Sequence, residues 1–336
     1  MVSSTATPFL FHRSNSNNPY YNLALEEYLF NNYGQYYKIF MLWQNANSII
    51  IGKNQNTAAE INQLFVEENN ITVARRLSGG GAVYHDLGNL NFTFIVPSKR
   101  SSFDFSLFTQ PIIETLQLFN IEAQSSSRND ITIAGKKFSG NAQYHQKGLI
   151  MHHGTILFDS DLSVLQNALK VRKNKIKAKG VTSTISQVTN LKEYLDESVS
   201  LADFETALMH CVLGENYQTY IVDLTAQQKI SELQKKKYAT WQWNYGNSPQ
   251  CQMIKEVYVP NCGHIELHLS LNNGFIEEIY SYGDYFGNED FSIIQKALLH
   301  CPYNKTALEA ALVKIAVNEV FNNLNNSSLV EILLTN

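Results

Sequence analysis

The 336-residue chain is 44% hydrophobic and 17% charged, with 26 Lys and Arg against 30 Asp and Glu, a net charge of −4. This is ordinary soluble composition, long enough for one large domain and a small one, and nothing in the charge balance suggests a nucleic-acid or membrane-surface partner. No apolar run approaches the roughly 20 residues that a bilayer span needs, and the N-terminus MVSSTATPFLFHRSNSNN lacks the basic-then-apolar pattern of a secretory signal. Cys211, Cys251, Cys262 and Cys301 form no C-x-x-C pair, which argues against a zinc ribbon or a dithiol centre. A reduced, cytoplasmic protein is expected.

Helices and strands alternate along the chain. Asn22 to Tyr33 reads as a helix with Leu25, Tyr28 and Leu29 on one face. Ile39 to Trp43 and Ser48 to Ile51 read as strands. Thr57 opens a second helix, with Glu60 completing a capping-box pattern. Ile71 to Arg76 reads as a strand, a glycine run follows, and Asn91 to Val96 reads as another strand. Phe105 to Phe119 reads as a helix in which Pro111 sits in the first turn or splits it. Ile131 to Gln143 reads as a hairpin around Gly135, Leu149 to Phe158 as a strand, and Leu162 to Leu169 as a short helix. Lys170 to Lys179 then carries six basic residues and no acid, the pattern of a solvated loop. The aromatic, Gly- and Pro-containing stretch Trp241 to Pro249 reads as a domain junction. Beyond it, Met253 to Val259 reads as a strand, and His264 to Leu271 with Phe275 to Tyr282 as a hairpin around Asn272-Asn273-Gly274. Helices at Phe291 to Leu299 and Thr306 to Leu324 close the chain. The expected units are residues 1–248 and 249–336, the second a small α+β unit.

Three segments carry chemistry. In RRLSGGGAVYHDLGNLN, two arginines and three glycines follow an apolar strand. Glycine lets backbone N–H groups converge on an anion, and Arg75 and Arg76 could add charge-assisted hydrogen bonds to phosphate. The segment is neither a Walker A motif nor a Rossmann fingerprint. A tight β-turn with incidental arginines explains the residues equally well. In RNDITIAGKKFSGNAQ, Lys136 and Lys137 alternate on a strand, so at most one faces a pocket. In MHHGTILF, His152 and His153 lack further ligand spacing, so structural histidines are expected rather than a metal site.

In their order along the chain, RRLSGGGAVYHDLGN, GKKFSGNAQ, HHGTILFDSDL and KAKGVTSTISQVTNL resemble lipoate–protein ligase A. From about Trp241, through GHIELHLSLNNGFIEEIYSYGDYFG, the chain also resembles that family's C-terminal accessory domain. The resemblance implies an α+β fold: a large catalytic domain of mixed β-sheets flanked by helices, biotin/lipoyl ligase-like, with a small accessory domain. It implies two reactions. Lipoate and ATP, with Mg²⁺, give lipoyl-AMP and pyrophosphate; an acceptor lysine then takes the lipoyl group and AMP leaves. The implied acceptors are lipoyl domains of 2-oxoacid dehydrogenase complexes or the glycine-cleavage H protein.

By the same resemblance Lys137 is the catalytic cation, contacting both carboxylate and phosphate. Arg76 and the backbone of Gly80, Gly81, Ala82, Val83 and Tyr84 hold the nucleotide. Lys179 contacts the adenylate from a closing basic loop. His85 and His153 border the lipoate tunnel with Arg76 and Lys137, and Asp130 contacts the metal or partners Lys137. The rival readings are an octanoyltransferase of the same fold that uses no ATP, a biotin–protein ligase, and a non-catalytic lipoyl-binding protein. The absence of any cysteine before Cys211 speaks against a thiolate nucleophile near the lysine motif.

Overall fold

The computed structural model describes residues 9–97, 105–125, 129–169, 176–178, 187–285 and 287–335. Most of the basic run 170–179 lies outside these. An eight-stranded mixed sheet forms the frame. Its strands lie side by side in the order Tyr217–Thr219, Phe9–Arg13, Lys38–Trp43, Asn89–Pro97, Leu149–Leu157, Lys136–Gln146, Asp130–Ile133 and Gln124–Ser125. Phe9–Arg13 runs parallel to both of its neighbours, and the other pairs are antiparallel.

The run Lys38–Trp43 (KIFMLW) is apolar without polar alternation because both faces of its strand are covered. Phe40 and Leu42 point into one core with Phe92, Phe94 and the helices Ser106–Leu118 and Leu201–Leu213. Ile39, Met41 and Trp43 point into another, with the helices Pro19–Asn32 and Leu224–Leu233. A three-stranded sheet of Thr72–Arg75, Ser48–Ile51 and Val83–His85 stands on that second side. Its alternation also sorts residues. Ile50, Ala74 and Val83 face the large sheet, whereas Ile49, Ile51, Val73 and Tyr84 pack in a separate outer cluster.

The third sheet has the strand order Ile176–Ala178, Cys251–Val259, Gly263–Asn272 and Phe275–Gly283. Helices Ser292–Leu298, Lys305–Leu312 and Asn326–Leu334 cover one face of it. Ala58 and Ala59 of the first 248 residues belong to this core, and the Glu67 carboxylate accepts the backbone N–H of Lys305 at 3.0 Å.

Several expected boundaries shift. The first helix opens at Pro19, not Asn22, because the Asn18 side chain caps it and accepts the N–H groups of Tyr20 and Tyr21. Asn56 rather than Thr57 caps the next short helix. Ser106–Leu118 continues through Pro111 without splitting. The expected single helix from Thr306 to Leu324 is two, Lys305–Leu312 and Val317–Val320, and Asn325 caps a further helix, Asn326–Leu334.

Candidate active site

A cavity of about 300 Å³ opens between the large sheet and the three-stranded sheet, within the range of small-ligand sites. Register lays out its floor. Trp43 pairs with Asn91, Asn91 with Thr155, and Gly140 with Asp130 across adjacent strands. The Gly140 N–H donates to Thr155 Oγ1 at 3.2 Å, completing the row. Ile50, Val83 and His85 close the cavity from the other sheet.

Lys137 stands at the Asp130 end. Its Nζ lies 2.7 Å from Asp130 Oδ1, and its side chain keeps 24% exposure. A β-bulge between Ile131 and Thr132 sets Lys137 opposite Thr132. Its backbone is gripped on the far side, where its N–H donates to Gln187 O and its carbonyl accepts from Thr189. Lys136, one residue earlier in the same strand, is exposed and lies off the cavity wall. The alternation thus gives the cavity one lysine of the pair.

The glycine run forms the opposite wall, with Gly80, Gly81, Ala82 and Val83 on the cavity. Gly80 has φ +88°, a conformation that L side chains rarely adopt. Gly52 lies under it so closely that a Cβ there would stand 2.2 Å from Gly80 O. Arg76 braces this loop from inside. Its guanidinium donates to Ile50 O (2.9 Å), Ser78 Oγ (3.0 Å), Gly79 O (2.6 Å) and Gly81 O (2.8 Å). Burial, partly offset by Glu26, pulls its pKa down to about 10, so it stays charged at neutral pH. Arg76 lies on the wall, with its donors engaged in shaping the loop.

The Tyr84 side chain turns into the outer cluster while Val83 and His85 face inward, so only its backbone, the part expected at the nucleotide, continues along this wall. One expectation of the glycine segment needs correction. Arg75 offers nothing to a phosphate. It is fully buried and turned toward the junction at residues 242–248, where Trp243 O, Asn244 O and Ser248 Oγ accept its hydrogens.

His153 lines the cavity, but both its nitrogens are spoken for. Ser78 Oγ, which accepts from Arg76, is hydrogen-bonded to His153 Nε2 at 2.6 Å. On the other side of the ring Nδ1 faces Glu26 Oε1 at 3.1 Å, a carboxylate that accepts its hydrogen. Glu26 also accepts from Thr93 Oγ1, which in turn accepts from Trp43 Nε1. This buried relay runs from the glycine loop to the Trp43 end of the cavity. Sequence reading missed Glu26, Ser78, Trp43, Asn91 and Thr155. Their only signal was polar residues and a tryptophan inside apolar runs, and the partners stand far away in sequence. His152 is structural: Gln143 and Asn141 hold its nitrogens, and it stacks on Phe108 at 4.6 Å. Lys179 lies outside the described residues.

Gly140 offers a test of the floor. A Cβ there would stand 3.0 Å from Lys137 Cε and Nζ. Gly140→Ala displaces the ammonium by a few tenths of an ångström without touching the core. We expect activity to fall about tenfold, since misplacing a reacting group is costly, with the melting temperature within about 2 °C of wild type. Unchanged kinetics would show that the position of Nζ is not critical.

The chain is similar to a family of known proteins over nearly its whole length. The family model for the lipoyl protein ligase A/B catalytic domain matches residues 18–212, and that for the bacterial lipoate protein ligase C-terminus matches residues 248–333. Lipoate-protein ligase LplJ of Bacillus subtilis is 40% identical over 324 residues, covering 95% of this chain and 98% of that one. Lipoate–protein ligase 1 of Staphylococcus aureus is 37% identical, covering 95% and 98%. Among solved structures, P. falciparum LipL1 in complex with lipoate superposes with a TM-score of 0.61 at 29% identity, covering 91% of this chain and 94% of that one. A lipoate-protein ligase A bound with ATP superposes with a TM-score of 0.60 at 26% identity, covering 72% and 99%. An archaeal bipartite lipoate protein ligase from Thermoplasma acidophilum, studied with its E2 lipoyl domain, gives 0.62 at 27% identity over 72% and 98%. The glycine segment, the lysine strand and the small C-terminal unit thus fall within matched regions of relatives that span nearly the same length, and this chain belongs to the lipoate–protein ligase family.

Proposed function

We propose that this protein activates free lipoate with ATP and attaches it to a lysine of an acceptor protein. The observation that carries this reading is one cavity with a lysine ammonium at one end, a braced glycine loop along its wall and a tryptophan-lined recess at the other end. In the first step a lipoate carboxylate oxygen bonds to the α-phosphorus. The bond to the β-phosphate bridging oxygen breaks, and pyrophosphate leaves. In the second, the acceptor's neutral ε-amine attacks the carbonyl carbon, the bond to the AMP oxygen breaks, and the amine's extra proton passes to solvent.

The difficulty of the first step is charge, because a carboxylate must approach a polyanion. Lys137 is placed to lower that repulsion, and the same ammonium stabilises the carbonyl oxygen during aminolysis. Gly80, Gly81, Ala82 and Val83 hold the nucleotide, with Arg76 fixing the loop. Lys179 would add an adenylate contact. His85, His153 and the walls around Trp43 take the acyl chain.

Mg²⁺ fits this wall as an ion carried by phosphate oxygens. Among the described residues Asp130 is the one carboxylate on the cavity, and no group of three or more His, Cys, Asp or Glu could hold a metal by itself. When bound, the ion would neutralise phosphate charge, with Asp130 as its protein contact.

Several observations bear on the rest of this reading. Among the described residues none on the cavity wall is a cysteine, which favours an adenylate over an acyl-thioester route. Isotope-labelled lipoate should therefore leave no label on any cysteine during turnover, and a trapped thioester would restore the octanoyltransferase reading. Acceptors of the lipoyl-domain type, in 2-oxoacid dehydrogenases or the glycine-cleavage H protein, suit the family, and free Cys211, Cys262 and Cys301 suit a cytoplasmic setting. No helix among the described residues is long and apolar enough to cross a membrane. The functional units are residues 1–248 for catalysis and 249–336 as accessory. Incubation with ATP, Mg²⁺, lipoate and an acceptor domain, followed by weighing the acceptor, tests the reading. The expected result is a gain of one lipoyl group that requires ATP; no gain, or a gain without ATP, would overturn it.

A further inference from the structure

Among the described residues, two side-chain donors on the cavity wall have no hydrogen-bond partner. His85 Nε2 and Asn91 Nδ2 are buried without a hydrogen-bond partner, although both residues line the cavity. An unpaired buried donor is costly to keep, so these two atoms point to a ligand group.

The protonation of His85 follows from the backbone around it. Asn22 Nδ2 donates to the carbonyls of Ser16 (2.8 Å) and Gln44 (2.9 Å). A carbonyl only accepts, so the nitrogen of this amide must face that way. Asn45 also turns its Oδ1 to this nitrogen, at 2.9 Å, where it shares one of the two hydrogens with a carbonyl, and its own Nδ2 lies 3.0 Å from His85 Nδ1 and donates to it. A neutral imidazole that accepts on Nδ1 carries its hydrogen on Nε2. Burial, and then the charge of Arg76, hold the ring pKa down at about 3. At neutral pH His85 is therefore a fixed, uncharged Nε2–H donor.

Its place along the cavity identifies what it meets. Asn91 stands between Trp43 and Thr155 in the register, and the His85 ring meets Trp43 edge-on with centroids 6.0 Å apart. The strand of Lys137 is separated from that of Asn91 by one intervening strand, two spacings or about 10 Å. An eight-carbon acid whose carboxylate lies at Lys137 Nζ brings its distal carbons, not its carboxylate, to His85 and Asn91. At that end octanoate offers only C–H groups, which leave both donors unsatisfied. Lipoate offers two polarisable sulfurs, which accept hydrogen bonds weakly.

Resting on the reading of this protein as a lipoate ligase, we propose that His85, oriented by Asn22 and Asn45 and joined by Asn91, selects an acid bearing sulfur at the distal end of its chain over the all-carbon acid of the same length. The penalty on the wrong acid is a buried donor without an acceptor, which discriminates more sharply than a small change in apolar contact.

The test measures pyrophosphate release by the full-length protein with lipoate and with octanoate, as the ratio of the two kcat/KM values. Wild type should favour lipoate. His85→Leu should lower the ratio about tenfold, and His85→Gln, which keeps an N–H, should recover much of it. Asn45 does not line the cavity; Asn45→Asp puts a carboxylate against Nδ1, moves the ring hydrogen there and should lower the ratio as well. Ratios within twofold of wild type in His85→Leu and Asn45→Asp would overturn the proposal, as would a wild type that uses the two acids equally. Nitrogen-15 spectra of the wild type decide the matter if a variant fails to fold: Nε2 protonation is expected, and an Nδ1-protonated His85 overturns it. Pyrophosphate release with neither acid would instead sink the functional reading itself.

Discussion

Lys137→Ala should form lipoyl-adenylate at least about two orders of magnitude more slowly than wild type, the scale for loss of one preorganised electrostatic donor. The structure makes the expectation specific. Among the described residues Lys137 and Arg76 are the two Lys or Arg side chains on the cavity wall, and Arg76 is engaged by four protein acceptors. Removing Lys137 also takes from Asp130 its ammonium partner at 2.7 Å, so that carboxylate's charge bears more strongly on the incoming carboxylate and polyphosphate. Loss of attraction and gain of repulsion then act together. Lys136→Ala should do far less, because that side chain is exposed and off the wall. Pyrophosphate release is the assay, with circular dichroism to show that both variants fold. Aminolysis from chemically made lipoyl-adenylate, measured in the same variants, separates the two steps. Equal activity in the two lysine variants would refute the assignment.

The legible parts of this molecule were those with local signals. The apolar run Ile39 to Trp43, the hairpin around Gly135 and the alternating strand His264 to Leu271 carry their period in neighbouring residues, and the structure has strands at each. The lysine pair is similar, since period-2 alternation allowed only one to face inward. The relay through Glu26, His153, Ser78 and Arg76 had no such signal. Glu26 and His153 are 127 residues apart in sequence, and a glutamate in a helix reads as a solvated face until the sheet beneath it is known. The two adjacent arginines show the same limit. Arg75 and Arg76 are indistinguishable as charges beside a glycine run, yet successive strand positions point opposite ways. One supports the cavity, and the other holds the junction.

Arg75→Met should cost about 3–5 kcal/mol of stability, the scale for breaking a buried hydrogen-bonded charge. The guanidinium has 0% exposure and reaches seven acceptors. Three are the carbonyls of Gly52, Lys53 and Gln55 beneath the glycine loop. Thr57 Oγ1 heads the short helix that packs toward the C-terminal core, and the other three lie on Trp243, Asn244 and Ser248. Methionine fills much of the volume but donates nothing, so the carbonyls lose their partners while remaining buried. Burial already draws the Arg75 pKa down to about 10, yet the group keeps its charge at neutral pH. For a chain of this length the cost corresponds to a fall in melting temperature of about 4–7 °C. Arg75→Lys should recover little of it, because one ammonium cannot reach acceptors spread around a planar fork. Scanning calorimetry reads both variants. A fall of less than about 3 °C for Arg75→Met would mean that the acceptors find other donors. Because Gly52 touches Gly80 and carries one of the acceptors, the glycine loop should lose order in the same variant. Weakened nucleotide binding should therefore accompany the loss of stability, even though Arg75 itself does not line the cavity.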